Sequence, residues 1–238
     1  MTGQVVVHED KDVMARATAA RLVTAIVDAQ TARGSASVVL TGGRNGNGLL
    51  AALAASPARD AVDWARLDLW WGDERFLPDG DPDRNHTQAR AALLDAVPLD
   101  PARVYPVPPS DAVASAAAAA DAYAAELATA TGPFDVVLLG VGPDTHVASL
   151  FPGHPALEVT DRTVVAVHDA PRPPPVRVSL TLPAIGSARE VWLLAAGEDK
   201  AEAVAAALSG ADPSAPAARV RGTERTLWLL DRAAAPAA

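Results

Sequence analysis

Short apolar runs alternate along the chain with stretches whose apolar residues recur every three or four positions. Residues 5–8 predict a first strand. Residues 10–32 place Val13, Ala17, Ala20, Val23 and Val27 at helical spacing, and Gly34 supplies a stop. Residues 37–40 predict a buried strand, residues 41–48 a glycine-rich loop (TGGRNGNG), and Leu49 the start of a short helix. A third strand falls within residues 64–71 and runs into the polar segment GDERFLPDGDPDRNH. Residues 87–94 predict a helix. Residues 97–109 predict a proline-punctuated loop with a short strand near Val104, and residues 111–129 an alanine-rich helix closed by Gly132. Residues 135–139 are rich in valine and leucine, as in strands buried on both faces. Gly140 and Gly142 end that run, Pro143 and Asp144 turn the chain, and Asp144 is expected to cap a short helix over residues 145–150. Further strands are expected at 163–167, 190–196 and 226–230, and a helix at 199–208. A proline-rich entry leads into a segment near Val176, and a loop covers 209–220.

Strands alternating with helices predict an α/β fold: an open, mostly parallel sheet with helices on both faces. No composition break or repeat divides the chain, so residues 1–238 are expected to form a single domain.

Composition narrows the chemistry. Half the residues are hydrophobic and mean hydropathy is +0.12, enough for a sizeable core. The net charge of −9 argues against a nucleic-acid face, which needs a basic patch. An anionic substrate stays open, because a few arginines in a cleft can dominate the local field. With no cysteine, disulfides and thiolate chemistry are excluded. No run reaches the roughly 18 apolar residues of a membrane span. MTGQVVVHEDKD lacks the features of a signal peptide, so a cytoplasmic protein is expected, without a membrane partner. No metal-ligand spacing or G-x-S-x-G elbow occurs, and neither metal nor cofactor is expected. Ser149 accordingly reads as a helix-turn residue rather than a nucleophile.

Three stretches carry candidate chemistry. In GVGPDTHVASLFPG, His146 should sit just past the carboxyl end of a central strand and near a helix N-terminus. Ligands bind at such strand ends, helix N-termini favour anions, and a histidine there can act as a base. The plainer alternative is a histidine packed in a loop; the glycine turn before it and SLFPG after it favour a site. TGGRNGNG satisfies T-G-x-x-x-G-x-G, the nucleotide loop of short-chain dehydrogenases. Against that, neither Tyr105 nor Tyr123 has a lysine four residues on, the only lysines are Lys11 and Lys200, and the loop follows the second strand. The better reading is a phosphate loop offering the backbone around Gly42, Gly43, Arg44 and Asn45 to an anion, with a tight turn as the alternative. In the third stretch, Asp73–Arg75 follows a strand end on the same rim. Arg75 can clamp a phosphate or developing oxyanion, and Asp73 can orient a base or hold Arg75. A solvated surface charge run is the alternative there.

GVGPDTHVASLFPG resembles the signature of the 6-phosphogluconolactonases, G-x-G-x-D/E-G-H-x-x-S-L-F-P, at Gly140, Gly142, Asp144, His146, Ser149, Leu150, Phe151 and Pro152. Thr145 stands where the family has glycine. Threonine disfavours positive φ, so either the turn does not need it or the histidine sits differently. WWGDERFLPDGDPDRNH resembles the family's W-x-D-E-R and following asparagine at Trp71, Asp73, Glu74, Arg75, Pro78 and Asn85. Gly42 and Gly43 match its G-G-S-T/L-P, Arg177 its R-V/I-T-L-T, and Lys200 its G-x-x-K. The related glucosamine-6-phosphate deaminases show D-E-Y and A-F-N-E-P where this chain has Arg75 and ASLFP. The resemblance implies hydrolysis of 6-phospho-D-glucono-1,5-lactone to 6-phosphogluconate in the oxidative pentose phosphate pathway. It implies His146 as base, Arg75 as electrostatic clamp and Asp73 as orienter. Gly42, Gly43, Arg44, Asn45, Asp144, Arg177 and Lys200 would contact the sugar-phosphate lactone. A short-chain-dehydrogenase-type oxidoreductase, or a non-catalytic sugar-phosphate binder raised by Thr145, remain as alternatives. The sequence carries no signal for oligomeric state.

Overall fold

A computed structural model describes residues 3–210, 212 and 214–236. Its strands are β1 (Gln4–His8), β2 (Ala36–Leu40), β3 (Leu67–Trp71), β4 (Asp73–Arg75), β5 (Val136–Gly140), β6 (Val164–Val167), β7 (Arg177–Leu180), β8 (Glu190–Ala195) and β9 (Arg225–Asp231). The helices are α1 (Lys11–Arg33), α2 (Gly43–Ala55), α3 (Asn85–Ala92), α4 (Ala116–Leu127), α5 (Leu182–Gly186), α6 (Ala201–Ser209) and α7 (Pro216–Arg219).

Six strands form one parallel sheet in the order β1-β9-β8-β5-β2-β3. Alternate side chains of its central strands enter two separate cores, which is why those strands read as continuous apolar runs. Val38, Leu40, Val136, Leu138 and Trp192 pack with α1 and α2; Val39, Val137, Leu139, Leu193 and Trp228 pack with α4 and α6. From β2 the chain moves outward to β3, whereas from β5 it moves the other way to β8 and β9. The order therefore reverses between β2 and β5, and a crevice opens beyond their carboxyl ends.

The open parallel sheet is as expected; several local expectations are corrected. α2 begins at Gly43, so most of the expected loop 41–48 is the helix's first turn and a half. α4 starts at Ala116 rather than 111, with the Ser115 hydroxyl accepting from Ala118 N–H. Residues 145–150 form no helix: Thr145 and Ala148 have φ of 68° and 49°, and Val147 bridges Leu150. The segment 73–75, expected only as a polar run, is β4. It joins β7 and β6 in a second, antiparallel sheet that pairs Arg75 with Arg177. α7 lies within the expected loop 209–220, of which residues 211 and 213 fall outside the described residues. Among the described residues no helix is long and apolar enough to cross a membrane.

Candidate active site

A cleft of about 380 Å³ lies at the order reversal. Six chain segments supply its walls: the start of α2, β4, the start of α3, the loop after β5, β7 with Arg172 ahead of it, and the turn before α6. Of the site residues expected from sequence, Gly42, Gly43, Arg44, Asn45, Asp73, Arg75, His146, Arg177 and Lys200 line it. Asp144 stands behind His146.

The loop after β5 is built to present His146. Gly142 N–H donates to the His146 carbonyl and Thr145 N–H to the Gly142 carbonyl, each at 2.9 Å. Gly142 cannot carry a side chain: a Cβ would fall 2.0 Å from His146 Nδ1. Thr145 does adopt the positive φ that glycine would take freely, and so carries local strain. His146 Nδ1 lies 2.5 Å from Asp144 Oδ1. Burial pulls the Asp144 pKa upward. The hydrogen bond and charge of His146, with Arg172 Nε 3.7 Å away, outweigh it and push the value down to about 2. Asp144 is therefore ionised at neutral pH and accepts from Nδ1–H; in the neutral imidazole that leaves the lone pair on Nε2. This is the tautomer a general base needs.

Asp73 has other partners than expected. Its Oδ2 accepts from Ser149 Oγ at 2.6 Å and faces Arg177 Nη1 at 3.9 Å; Asn85 Nδ2 donates to its carbonyl at 2.9 Å. The carboxylate on the imidazole is Asp144, not Asp73, and the Arg75 guanidinium donates to the Asp83 carbonyl at 2.7 Å. Ser149, fully buried, is a bridge between Asp73 and Arg177 rather than a helix-turn residue. Glu74 works behind the cleft. Its carboxylate accepts from the N–H groups of Arg75, Asn85 and His86 and so caps α3, which starts at residue 85 rather than 87. Burial raises its pKa, against the pull of Arg84 and those N–H groups.

The cations converge. Arg44 spans from α2 to the Ala196 carbonyl and Asp199, both at 2.9 Å. Lys200 Nζ lies 3.7 Å from Asp199. Burial lowers the Lys200 pKa, Asp199 opposes this, and Arg44 and Arg172 lower it further. Arg177 is held by the carbonyls of Arg172, Pro173 and Pro174. Asp199, Arg172 and Asn85 line the cleft but were not assigned to it from sequence. Arg172 lies in the PRPPP segment, whose prolines read only as a stiff entry. Asn85 matched a motif but was given no role; its Oδ1 leaves no room for a Cβ on Gly42, which would lie 1.8 Å away. Among the described residues no three His, Asp or Glu side chains converge as metal ligands do.

Fold and site together define an α/β enzyme whose cleft, at the sheet's order reversal, suits a small anionic substrate. Residues 9–228 match the model of the family described as glucosamine-6-phosphate isomerases/6-phosphogluconolactonase, and the chain belongs to that family. It is 70% identical to the 6-phosphogluconolactonase of Streptomyces coelicolor, over 98% of this chain and 94% of that one. It is 49% identical to the 6-phosphogluconolactonase of Mycobacterium tuberculosis, over 99% and 98% of the two chains. Among solved structures, the 6-phosphogluconolactonase of Trypanosoma brucei superposes with a TM-score of 0.85 at 30% identity, covering 98% of this chain and 97% of that one.

Proposed function

We propose that the chain hydrolyses 6-phospho-D-glucono-1,5-lactone to 6-phosphogluconate, as a single-domain cytoplasmic enzyme of the oxidative pentose phosphate pathway, with His146 as the base. The observation that carries this is a carboxylate-oriented imidazole in the same cleft as five cationic side chains, Arg44, Arg75, Arg172, Arg177 and Lys200. A lactone is an activated ester and needs no covalent intermediate; a positioned base and a cation for the oxyanion suffice.

His146 Nε2 takes a proton from water while the water oxygen bonds to the lactone carbonyl carbon. Negative charge builds on the carbonyl oxygen beside the Arg75–Arg177 pair. As the intermediate collapses, the ring C–O bond breaks and its oxygen receives the proton held on Nε2. The new carboxylic acid releases a proton to water. The phosphate is taken by the first turn of α2, where N–H groups lack partners inside the helix, together with Lys200, Arg44 and Arg172. Asp144 keeps the imidazole in its basic tautomer.

The test follows freshly generated 6-phospholactone by NMR against its spontaneous hydrolysis, with unphosphorylated gluconolactone alongside. Strong acceleration of the phosphorylated lactone alone is expected, since charge-assisted hydrogen bonds are worth roughly 1.5–3 kcal/mol each. Equal kcat/KM for the two would overturn the phosphate site. Tight binding without acceleration would leave a non-catalytic sugar-phosphate binder.

A further inference from the structure

We infer that Phe151 is a positioning residue for the reaction, fixing the plane of the His146 imidazole through ring-to-ring contact. The inference rests on the reading of His146 as base. Phe151 is 1% exposed, and its ring centroid lies 4.5 Å from that of His146 with the planes at 40°. The Arg177 guanidinium carbon stands 5.6 Å from the centre of the same ring.

Three features set the place of the imidazole. Asp144 holds Nδ1 at 2.5 Å. The absent side chain of Gly142 leaves the space that Nδ1 and Cε1 occupy, since a Cβ there would lie 2.0 and 2.2 Å from them. One hydrogen bond fixes a single edge atom and leaves the ring free to rock about it. The Phe151 ring limits that rocking and so sets the direction in which Nε2 points. Because Arg177 lies over the same ring and is anchored to the Pro174 carbonyl at 3.0 Å, base and cation are both placed by one side chain. Leucine would fill much of the volume but offers no flat face.

Phe151→Leu should lower kcat by about 10- to 100-fold, the scale of a misplacement near 1 Å, and leave KM within about threefold. The core variant Leu157→Ala is the control. Leu157 shares the hydrophobic core with Phe151 but has no ring to set against His146, so its truncation should lower Tm and keep kcat. Independently of any folding defect, the Phe151 ring current should displace the carbon-bound ring protons of His146 in wild-type NMR spectra from those of the other histidines. Those signals are the ones that vanish in His146→Gln. If His146→Gln keeps full kcat, the base assignment itself fails. If His146→Gln loses about 100-fold or more while Phe151→Leu stays within about threefold of wild type, only the positioning inference fails. Should Phe151→Leu not fold, undisplaced His146 protons in the wild type overturn it and displaced ones support it.

Discussion

Asp144→Asn keeps the outline of the side chain and removes its charge. In the native site the carboxylate accepts from His146 Nδ1 at 2.5 Å and has Arg172 Nε 3.7 Å from its other oxygen. Burial opposes ionisation, yet these partners bring the pKa from 3.8 down to about 2. At about 1.4 kcal/mol per pKa unit, that drop corresponds to roughly 2.5 kcal/mol. The Asp144 side chain is 34% exposed, and solvent screening reduces its worth to roughly 1 kcal/mol, or a Tm loss of about 2–4 °C. A depressed carboxylate pKa stabilises the fold above its unfolded value and loses that contribution as pH falls through the folded one. The Tm gap between wild type and Asp144→Asn should therefore hold at neutral pH and close only between about pH 4 and pH 2.

Catalysis should suffer far more than stability. An asparagine with its amide turned toward Nδ1 donates where the carboxylate accepted, and the imidazole proton moves to Nε2. That tautomer cannot take a proton from water. The expected loss is roughly 10²–10⁴-fold in kcat, the usual contribution of a general base, with KM within about threefold. The measurement is lactone hydrolysis near pH 7 by NMR, with the spontaneous rate subtracted and Tm recorded on the same sample. A kcat within about fivefold of wild type would refute the tautomer argument. A parallel rise in KM would move Asp144 from orienting the base to binding substrate.

Lys200 holds its proton less tightly than an ordinary lysine, through burial first and then Arg44 and Arg172, against the pull of Asp199. Its charge, and with it phosphate affinity, should be lost at lower pH than for a free lysine, so KM should climb on the alkaline side. Lys200→Met should raise KM at neutral pH, remove that alkaline climb and leave kcat within about threefold; the same alkaline KM profile in variant and wild type would take Lys200 out of the phosphate site. Thr145→Gly removes a β-branched residue from positive φ, a strain of about 1–3 kcal/mol, but adds unfolded-state entropy and deletes a buried methyl. Activity should stay within about threefold and Tm within a few degrees; a kcat loss beyond about tenfold would give the threonine side chain a catalytic role.

The parts of this molecule legible in its sequence are those whose cause is local. β2, β5 and β8 are buried on both faces, so their apolar runs announce them, and the glycines ending β5 mark the rim where His146 stands. The first turn of α2 gave no such signal. Its glycines and asparagine are poor helix formers, and it is held instead by Arg44 and Asn45 reaching the carbonyls of Ala196 and Leu194, about 150 residues away. β4 is three polar residues long, and its partner β7 lies about a hundred residues on, so no periodicity betrays it. Residues 145–150 misled for a different reason. Asp144 looks like a helix cap, but its carboxylate is engaged by His146, and Thr145 and Ala148 turn the backbone away from a helix.

The charge of the cleft runs against that of the chain. The protein carries −9, yet its cleft gathers Arg44, Arg75, Arg172, Arg177 and Lys200. Placing Arg75 directly across from Arg177 on an antiparallel pair is unfavourable by itself, since facing like charges repel. The fold tolerates it by giving each guanidinium backbone carbonyls to donate to and by setting Asp73 at 3.9 Å from Arg177. Three carboxylates, Asp73, Asp144 and Asp199, stand among the five cations. With His146 neutral, the cluster is left with a charge of +2. A phosphate monoester carries about −1.5 to −2 at neutral pH. The cleft's surplus thus matches that of the group it is proposed to hold, and further removal of a cation would leave a bound phosphate undercompensated in a partly buried site. The surrounding acidic surface lowers the affinity of the rest of the molecule for anions, so that phosphate is drawn to this one place.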